Sequence, residues 1–269
     1  MSQSESVRKI GLARVLSKFG YCSRSSAAEL IRAGRVRLNG MIRRDPEAPV
    51  SERSDQIAVD GKAVEGQNKI YLMLNKPRGV VTTSADEKGR NTVYEILDTR
   101  PVGGASHSKQ NLPWVAPVGR LDKASEGLLL MTNDSEWAAR VAAPRTHLDK
   151  TYHVQVGTVA DDEFLQVLVR GVKAGGVNAK DGEVLRAKKV RHLRSGQKNC
   201  WLEIVLDEGK NRQIRRMMEA MGVEVLRLVR VAIGPLQLGK MAKGEYRPLT
   251  KDEKRMLDLA MGRKLRPTP

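Results

Sequence analysis

Apolar residues recur at helical spacing twice near the start of the chain. The first stripe covers residues 12–19 and is followed by Gly20, a residue that readily ends a helix. Ser23 is a favourable N-cap for a second helix, which we expect to stop at Gly34. The pattern therefore predicts two helices before any strand.

Short alternating stretches follow these helices and meet turn-forming pairs. Residues 36–38 lead into Asn39-Gly40, and a second apolar pair of stretches flanks Asp60-Gly61. Asn-Gly and Asp-Gly suit two-residue hairpin turns, because both central positions need a positive φ. Helices and hairpins together predict a small N-terminal domain over residues 8–67, followed by a polar linker.

Longer apolar segments and helical patterns fill residues 69–250, and a basic C-terminal tail over 251–269 begins as a helix. Strands are predicted over 70–74, 128–132, 150–156, 202–206 and 225–233, and helices over 92–97, 136–141, 162–169 and 211–221. Helices of crossover length do not alternate regularly with the strands, so we expect an α+β fold with a mixed, mainly antiparallel sheet. Residues 98–117 and 170–187 are expected to be irregular loops.

Composition points to a polyanionic partner. The 269 residues carry 48 Lys plus Arg against 31 Asp plus Glu, a formal net charge of +17. Such an excess favours nucleic acid first and a membrane surface second. The sequence lacks an apolar run of about 18 residues and an apolar N-terminal signal, so we expect a cytoplasmic protein that does not enter a membrane.

The basic residues are concentrated in the N-terminal domain. Between Arg8 and Arg44 there are ten basic residues and one acidic residue, Glu29. The arginines expected to meet RNA phosphates crowd the second helix and the hairpin after it: Arg24, Arg32, Arg35, Arg37, Arg43 and Arg44. A solvated basic face is the alternative, and the one-sided balance favours RNA contact.

Metal and disulfide chemistry have little support. Cys22 and Cys200 stand alone, without CxxC spacing, and the four histidines form no ligand-like cluster. We therefore expect reduced cysteines, no metal site and no cofactor.

One short stretch carries the strongest chemical signal. Residues 119–127 place a single carboxylate, Asp122, between Arg120 and Lys123, directly before an apolar run of strand length. Neighbouring positive charges favour the ionised carboxylate, which is a plausible nucleophile. An ordinary surface aspartate in a salt-bridged turn is the alternative reading of the spacing.

This stretch, Gly119-Arg120-Leu121-Asp122 with Ser125 and Gly127, resembles the signature loop of the pseudouridine synthases, in the branch that acts on ribosomal RNA. Further stretches are similar to that family in the expected order: Lys76-Pro77, Lys150 to Tyr152, residues 208–218 and residues 225–235. Residues 16–40 also resemble the alpha-L RNA-binding module of a small-subunit ribosomal protein and of tyrosyl-tRNA synthetases. The resemblance implies an isomerase that acts on ribosomal RNA.

The resemblance also implies roles for individual residues. Asp122 would be the nucleophile, Tyr152 would stack on the target base and relay a proton, and Arg215 would pair with Asp122. Arg120 matches the position that fills the space left by the extracted base, although a phosphate contact is equally open. Arg212 and Arg216 would face RNA from the same helix, and Leu228 is a candidate for the apolar wall. Lys76 and Pro77 would support the loop without chemistry of their own.

Two functions remain in view. The first is a monomeric ribosomal RNA pseudouridine synthase without cofactors, with large-subunit RNA slightly preferred. The second is a non-catalytic RNA-binding or ribosome-assembly factor that retains a synthase scaffold. Pseudouridine formation by the native protein separates them, and the joint presence of Asp122, Tyr152 and Arg215 favours the enzyme.

Overall fold

The structure is a computed structural model that describes residues 9–83, 89–99, 112–173 and 182–262. The chain forms two compact units. The first contains residues 1–71, 107–116 and 131–136, and the second contains 72–106, 117–130 and 137–269. The domain limits drawn from the sequence stay a prediction.

The first unit is built from two helices and six short strands. Its elements are β1 (Ile10–Gly11), α1 (Leu12–Lys18), α2 (Arg24–Arg32), β2 (Val36–Leu38), β3 (Met41–Arg43), β4 (Pro49–Val50), β5 (Ile57–Val59) and β6 (Lys62–Ala63). Four of the strands form an antiparallel sheet in the order β3-β2-β5-β6, and β1 pairs with β4. Apolar residues of both helices and of β2, β4 and β5 form its core.

Local sequence signals account for the turns of this unit. The Ser23 hydroxyl accepts a hydrogen bond from the Ser26 amide at 3.1 Å and caps α2 as predicted. Asn39 and Gly40 have φ of 51° and 80° in the β2–β3 turn, as type I′ geometry requires. The same geometry recurs at Asp60 and Gly61, between β5 and β6.

The remaining strands and helices lie mostly in the second unit. The strands are β7 (Tyr71–Lys76), β8 (Ala116–Val118), β9 (Glu126–Thr132), β10 (Lys150–Val156), β11 (Val172–Lys173), β12 (Val184–Leu185), β13 (Lys189–Ser195), β14 (Cys200–Leu206), β15 (Val225–Ile233), β16 (Leu236–Gln237) and β17 (Tyr246–Pro248). The helices are α3 (Val93–Thr99), α4 (Ser135–Ala142), α5 (Asp162–Arg170), α6 (Gln213–Ala220) and α7 (Lys251–Ala260), with a 3₁₀ turn at Pro144–Thr146.

Nine strands form one mixed sheet. Its main order is β13-β14-β10-β15-β9-β7-β17, with β16 added to β15 and β8 to β9. The β13–β14, β14–β10 and β10–β15 pairs are antiparallel, whereas β15 and β9 run parallel. The α+β class and the mixed, mainly antiparallel sheet predicted from the sequence are confirmed.

One face of this sheet carries the main core of the second unit. Alternate residues of β14, such as Leu202 and Ile204, are buried against Leu168 of α5 and Met217 of α6. The period-2 pattern of the strands and the amphipathic pattern of the helices therefore meet in one apolar layer.

Some predicted bounds need correction. The helix predicted over 211–221 with Asn211 as its cap begins instead at Gln213, and Arg212 is the N-cap residue with φ of 47°. Buried Gln213 causes this entry, because its side chain accepts from the Lys210 amide and donates to the Arg186 carbonyl. Arg212 therefore does not lie on the helix with Arg215.

The two predicted loops are only partly described. Of residues 98–117, positions 100–111 lie outside the described residues, and the end of the stretch enters β8. The prediction of an irregular 170–187 segment was wrong at its ends, where β11 and β12 pair antiparallel; residues 174–181 are outside the described ones.

The predicted C-terminal helix is present as α7. A capping box between Thr250 and Glu253 starts it, and Asp258 accepts a hydrogen bond from the Trp137 indole at 3.0 Å. Across the described ranges, no helix combines the length and apolar character that crossing a bilayer requires.

Candidate active site

The stretch around Asp122 is a loop between β8 and β9, and hydrogen bonds hold the backbone of this loop in place. Five successive carbonyl oxygens, from residue 121 to residue 125, each accept a hydrogen bond. Thr82 Oγ1 donates to the Leu121 carbonyl at 2.8 Å, and the Gly79 amide donates to the Lys123 carbonyl at 2.8 Å. Arg215 Nη2 donates to the Ala124 carbonyl at 3.0 Å. Lys76 Nζ donates to two of the carbonyls, that of Asp122 at 3.2 Å and that of Ser125 at 2.9 Å. The loop therefore presents the Asp122 side chain from a preorganised backbone.

Lys76 is the main support of this loop. It ends β7, is fully buried, and also donates to the Pro77 carbonyl at 3.1 Å. Burial lowers the pKa of Lys76 to about 8, against the raising effect of Asp122 and Glu126. The support role that the resemblance implied for Lys76 thus takes the form of direct hydrogen bonds to the loop carbonyls.

A cavity of about 190 Å³ opens beside the loop. This volume is several times the share of one liquid water, about 30 Å³, so a planar base is within its capacity. Six residues singled out from the sequence line it: Asp122, Tyr152, Arg215, Arg120, Arg212 and Leu228. Residues from the loop, β10, α6 and β15 therefore converge on one pocket in the second unit.

Asp122 presents its carboxylate to this pocket with 35% of the side chain exposed. Its ion pair is with Arg212, whose Nη1 lies 3.9 Å from Oδ2. The left-handed conformation of Arg212 at the helix entry directs this contact, which the sequence did not predict.

Arg215 lines the same pocket but uses its guanidinium differently from the prediction. It donates to the carbonyls of Ala124 and Val225, at 3.0 and 3.5 Å, and its Nε is buried without a partner. Burial lowers the pKa of Arg215, Arg212 adds to this, and the Asp122 charge opposes both. The predicted fork to Asp122 is absent among the described contacts because backbone carbonyls occupy both η nitrogens.

Tyr152 lies on β10 opposite Arg230 of β15 and Ile204 of β14. The β10–β15 register shifts between Thr151 and Tyr152, and such a bulge re-aims the side chain that follows it. Tyr152 faces the pocket while its ring packs against the sheet core.

The pocket lining also contains cations to which the sequence analysis assigned no role, among them Arg230 and Lys150. Arg230 is 6% exposed and donates through Nε to the Leu128 carbonyl at 2.7 Å, while Lys150 is partly buried nearby along the lining. The signal was available, because Arg230 shares the inward alternation of Leu228. Charged residues are rarely buried, so the strand pattern alone does not single out Arg230 as a pocket residue.

Gly127 permits the strand pairing that places Arg230. Gly127 has φ of 105°, and β9 pairs parallel with β15 at Gly127 and Arg230. A Cβ at Gly127 would lie 2.2 Å from the Arg230 carbonyl oxygen, which no side chain can accept.

The arginines proposed for RNA contact differ in their exposure and in their contacts within the protein. In the first unit Arg24 and Arg32 are exposed, whereas Arg35 pairs with Asp60 and Arg37 donates to the Gly40 carbonyl. Arg43 is partly buried, and its Nε has no partner.

Arg216, in the second unit, is not brought to the pocket. Its Nη2 lies 2.6 Å from Glu183, and 11% of its side chain is exposed. In the described parts of the chain, no three His, Cys, Asp or Glu side chains gather as a metal site, and Cys22 and Cys200 are free thiols.

Comparison with known proteins decides the family. The model of the RNA pseudouridylate synthase family matches residues 70–220, and the S4 domain model matches residues 10–57. The chain belongs to the RNA pseudouridine synthases. It is thus an isomerase with an N-terminal S4 domain, an RNA-binding module, and the alpha-L module expected from the sequence is confirmed.

Full-length relatives support the assignment to the RNA pseudouridine synthases. The chain is 36% identical over 252 residues to the ribosomal large subunit pseudouridine synthase B of Bacillus subtilis (strain 168), covering 93% of this chain and 96% of that protein. An uncharacterized RNA pseudouridine synthase of Aquifex aeolicus (strain VF5) is also 36% identical, over 96% of this chain and 98% of its own. A crystal structure of a pseudouridylate synthase matches with a TM-score of 0.60 and 28% identity, over 92% of this chain and 99% of that one.

Proposed function

We propose that this pseudouridine synthase isomerises a uridine of ribosomal RNA, in the large subunit, with Asp122 as its nucleophile. The single observation that carries the catalytic part is the position of Asp122 in the pocket, on a loop with five hydrogen-bonded carbonyls. The substrate part rests on the Bacillus subtilis relative, whose name specifies the large ribosomal subunit.

The reaction requires no net gain or loss of atoms, because uridine and pseudouridine are isomers. The bond from N1 to C1′ breaks, the base rotates within the pocket, C5 bonds to C1′, and the hydrogen on C5 leaves as a proton while N1 gains one. Asp122 acts at C1′, at C6 of the base, or in forming a glycal, and all three routes need the same carboxylate. The uridine must first leave its stack to reach Asp122.

Neighbouring residues complete this proposal. Tyr152 stacks on the base and takes part in proton transfer, because it lines the same cavity as Asp122. Arg215 acts as a positioning residue through its hydrogen bond to the Ala124 carbonyl. Leu228 adds apolar wall, and exposed Arg120 takes the place of the extracted base or contacts a phosphate.

RNA binding is assigned to arginines outside the reacting centre. Exposed Arg24 and Arg32 on α2, with Arg35, Arg37 and Arg43, contact phosphates from the S4 domain, and Arg212 does so at the pocket rim. Each phosphate contact that is removed should lower the slope of log affinity against log salt by about one. The paired Arg216 is the weakest member of this set.

Mapping of pseudouridines in ribosomal RNA tests the substrate assignment. RNA from cells lacking this protein should lose one or more pseudouridines of the large-subunit RNA, and the native gene should restore them. Loss confined to small-subunit RNA or to transfer RNA would replace the substrate while leaving the enzyme class intact.

A further inference from the structure

Arg230 carries a hydrogen-bond donor that the protein does not use. Its Nε donates to the Leu128 carbonyl at 2.7 Å, but its Nη2 is buried and has no partner among the described residues. The side chain is 6% exposed and belongs to the lining of the Asp122 pocket. The unused donor therefore lies where a substrate would be held.

Burial of such a group is costly unless something else satisfies it. An unpaired buried polar atom is destabilising, and an unpaired buried charge is more so. Within the described ranges, no carboxylate forms an ion pair with Arg230, so no acidic side chain satisfies the buried Nη2. A bound ligand with an accepting oxygen would supply the missing partner.

Lys150 adds a second positive charge to the same lining. Burial lowers the pKa of Lys150, the charge of Arg230 lowers it further, and Asp149 and Asp207 act in the opposite direction. Arg230 and Lys150 line the same pocket, and the charge of Arg230 acts on Lys150. That part of the pocket favours negative charge over neutral or positive groups.

The reaction creates negative charge at one defined moment. When the bond from N1 to C1′ breaks heterolytically, its electron pair stays with the base, and the charge spreads over N1 and the two carbonyl oxygens. When C5 then bonds to C1′, the proton on C5 leaves and N1 is protonated, so the charge disappears again. A fixed, buried donor beside the base is suited to such transient charge.

We propose that Arg230 contacts the extracted uracil through Nη2, at a carbonyl oxygen, and stabilises the detached base as an anion. The proposal rests on the proposed function in that it places the base in the Asp122 pocket. A phosphate contact is less suited to Arg230, because Arg230 is only 6% exposed, whereas Arg120, Lys210 and Arg212 are exposed cations of the lining. Gly127 belongs to the same device, because it allows β9 to approach the Arg230 backbone.

Arg230→Ala and Arg230→Lys test this role in the full-length protein. The substrate is total RNA from cells that lack the protein, labelled with [5-³H]uridine, and the rate is read from tritium released at C5. We expect Arg230→Ala to slow single turnover by about 10²–10³-fold, the effect of losing one preorganised donor to a developing oxyanion, with RNA affinity within about twofold of native. Arg230→Lys should retain an intermediate rate.

Chemical rescue separates contact with the base from structural support. Methylguanidinium should restore the rate of Arg230→Ala at least tenfold, whereas tetramethylammonium at the same ionic strength should not. Arg194→Ala is the matched control, because Arg194 lies on the same sheet, exposed and stacked on Trp201 at 5.1 Å, outside the pocket lining. It should keep the native rate.

Each other outcome overturns the proposal. A native rate in Arg230→Ala would show that Arg230 does not stabilise the detached base. A slow variant that methylguanidinium does not rescue makes Arg230 structural, and weaker binding with a salt slope reduced by about one makes it a phosphate contact. Because total RNA contains every candidate substrate, failure of the large-subunit assignment appears separately, as native activity on another RNA.

Discussion

Lys76 Nζ lies 3.2 Å from the carbonyl oxygen of Asp122, so a buried ammonium directly supports the backbone of the proposed nucleophile. The same nitrogen reaches the Ser125 carbonyl, three residues further along the loop, at 2.9 Å. A charge at full burial is retained here because it has three carbonyl acceptors. The loop geometry therefore depends on a residue that takes no part in bond making.

Replacement of Lys76 by Met should loosen this loop. Three carbonyls each lose one donor, which should lower the free energy of unfolding by about 1–3 kcal/mol. Misplacement of Asp122 should also slow isomerisation by about 10²-fold. Thermal unfolding and single-turnover rates measure the two effects, with Lys189→Met on the exposed edge strand β13 as control. A native isomerisation rate in Lys76→Met would show that the loop keeps its conformation without the hydrogen bonds of Lys76.

The lowered pKa of Lys76 also predicts a pH dependence of stability. Lys76 loses its proton near pH 8 when folded but keeps it to about 10.5 when unfolded, so between these values the unfolded chain binds more protons. The stability of the native protein relative to Lys76→Met should therefore rise with pH across this window, by up to about 3 kcal/mol. Urea unfolding of both proteins from pH 7 to 10 measures the difference. A constant or falling difference would contradict the assignment.

Gly127→Ala should disturb the β9–β15 pairing. The residue has φ of 105°, which alone costs a side chain about 1–3 kcal/mol, and the new Cβ would meet the Arg230 backbone at 2.2 Å. We expect a loss of at least about 2 kcal/mol in stability, with activity lost at temperatures where the fold survives. The control is Gly157→Ala, where a Cβ would meet its nearest atom at 3.7 Å. Equal melting temperatures for the two variants would disprove the close-approach argument.

Arg215 and Arg212 should respond differently to lysine. Arg215 needs separate nitrogens for the Ala124 and Val225 carbonyls, whereas Arg212 offers Asp122 a single charge at 3.9 Å. Arg215→Lys should therefore slow isomerisation by at least tenfold, and Arg212→Lys by less than about threefold. Single-turnover kinetics measure both variants. A larger loss of rate in Arg212→Lys than in Arg215→Lys would contradict the positioning role of Arg215 and make the ion pair of Arg212 with Asp122 the more important contact.

Local features of this fold were predictable because neighbouring residues determine them. Ser23 caps its helix within three residues, and Asn39-Gly40 and Asp60-Gly61 set their turns through positive φ alone. Strands β10 and β14 follow the period of their apolar residues. Asp122 and Tyr152 were proposed from the family resemblance, because spacing alone favoured an ordinary turn aspartate and a core tyrosine.

The remaining features depend on groups distant in the sequence. Lys76 is buried because carbonyls 46 and 49 residues away receive its nitrogen. The left-handed Arg212 follows from the contacts of Gln213, one of which reaches 27 residues back. The sequence did not single out Arg230 because the pocket that it lines is assembled from five separate segments. Patterns of neighbouring residues carry no information on contacts between residues that are distant in the sequence.

The central claim is that the carboxylate of Asp122 performs the isomerisation, and Asp122→Asn tests it most directly. The amide keeps the size of the side chain and leaves the hydrogen bonds of the loop backbone in place. We predict tritium release from [5-³H]uridine-labelled RNA at background level, with RNA affinity and melting temperature equal to native. Pseudouridine formation by Asp122→Asn at the native rate would show that the carboxylate of Asp122 does not perform the isomerisation.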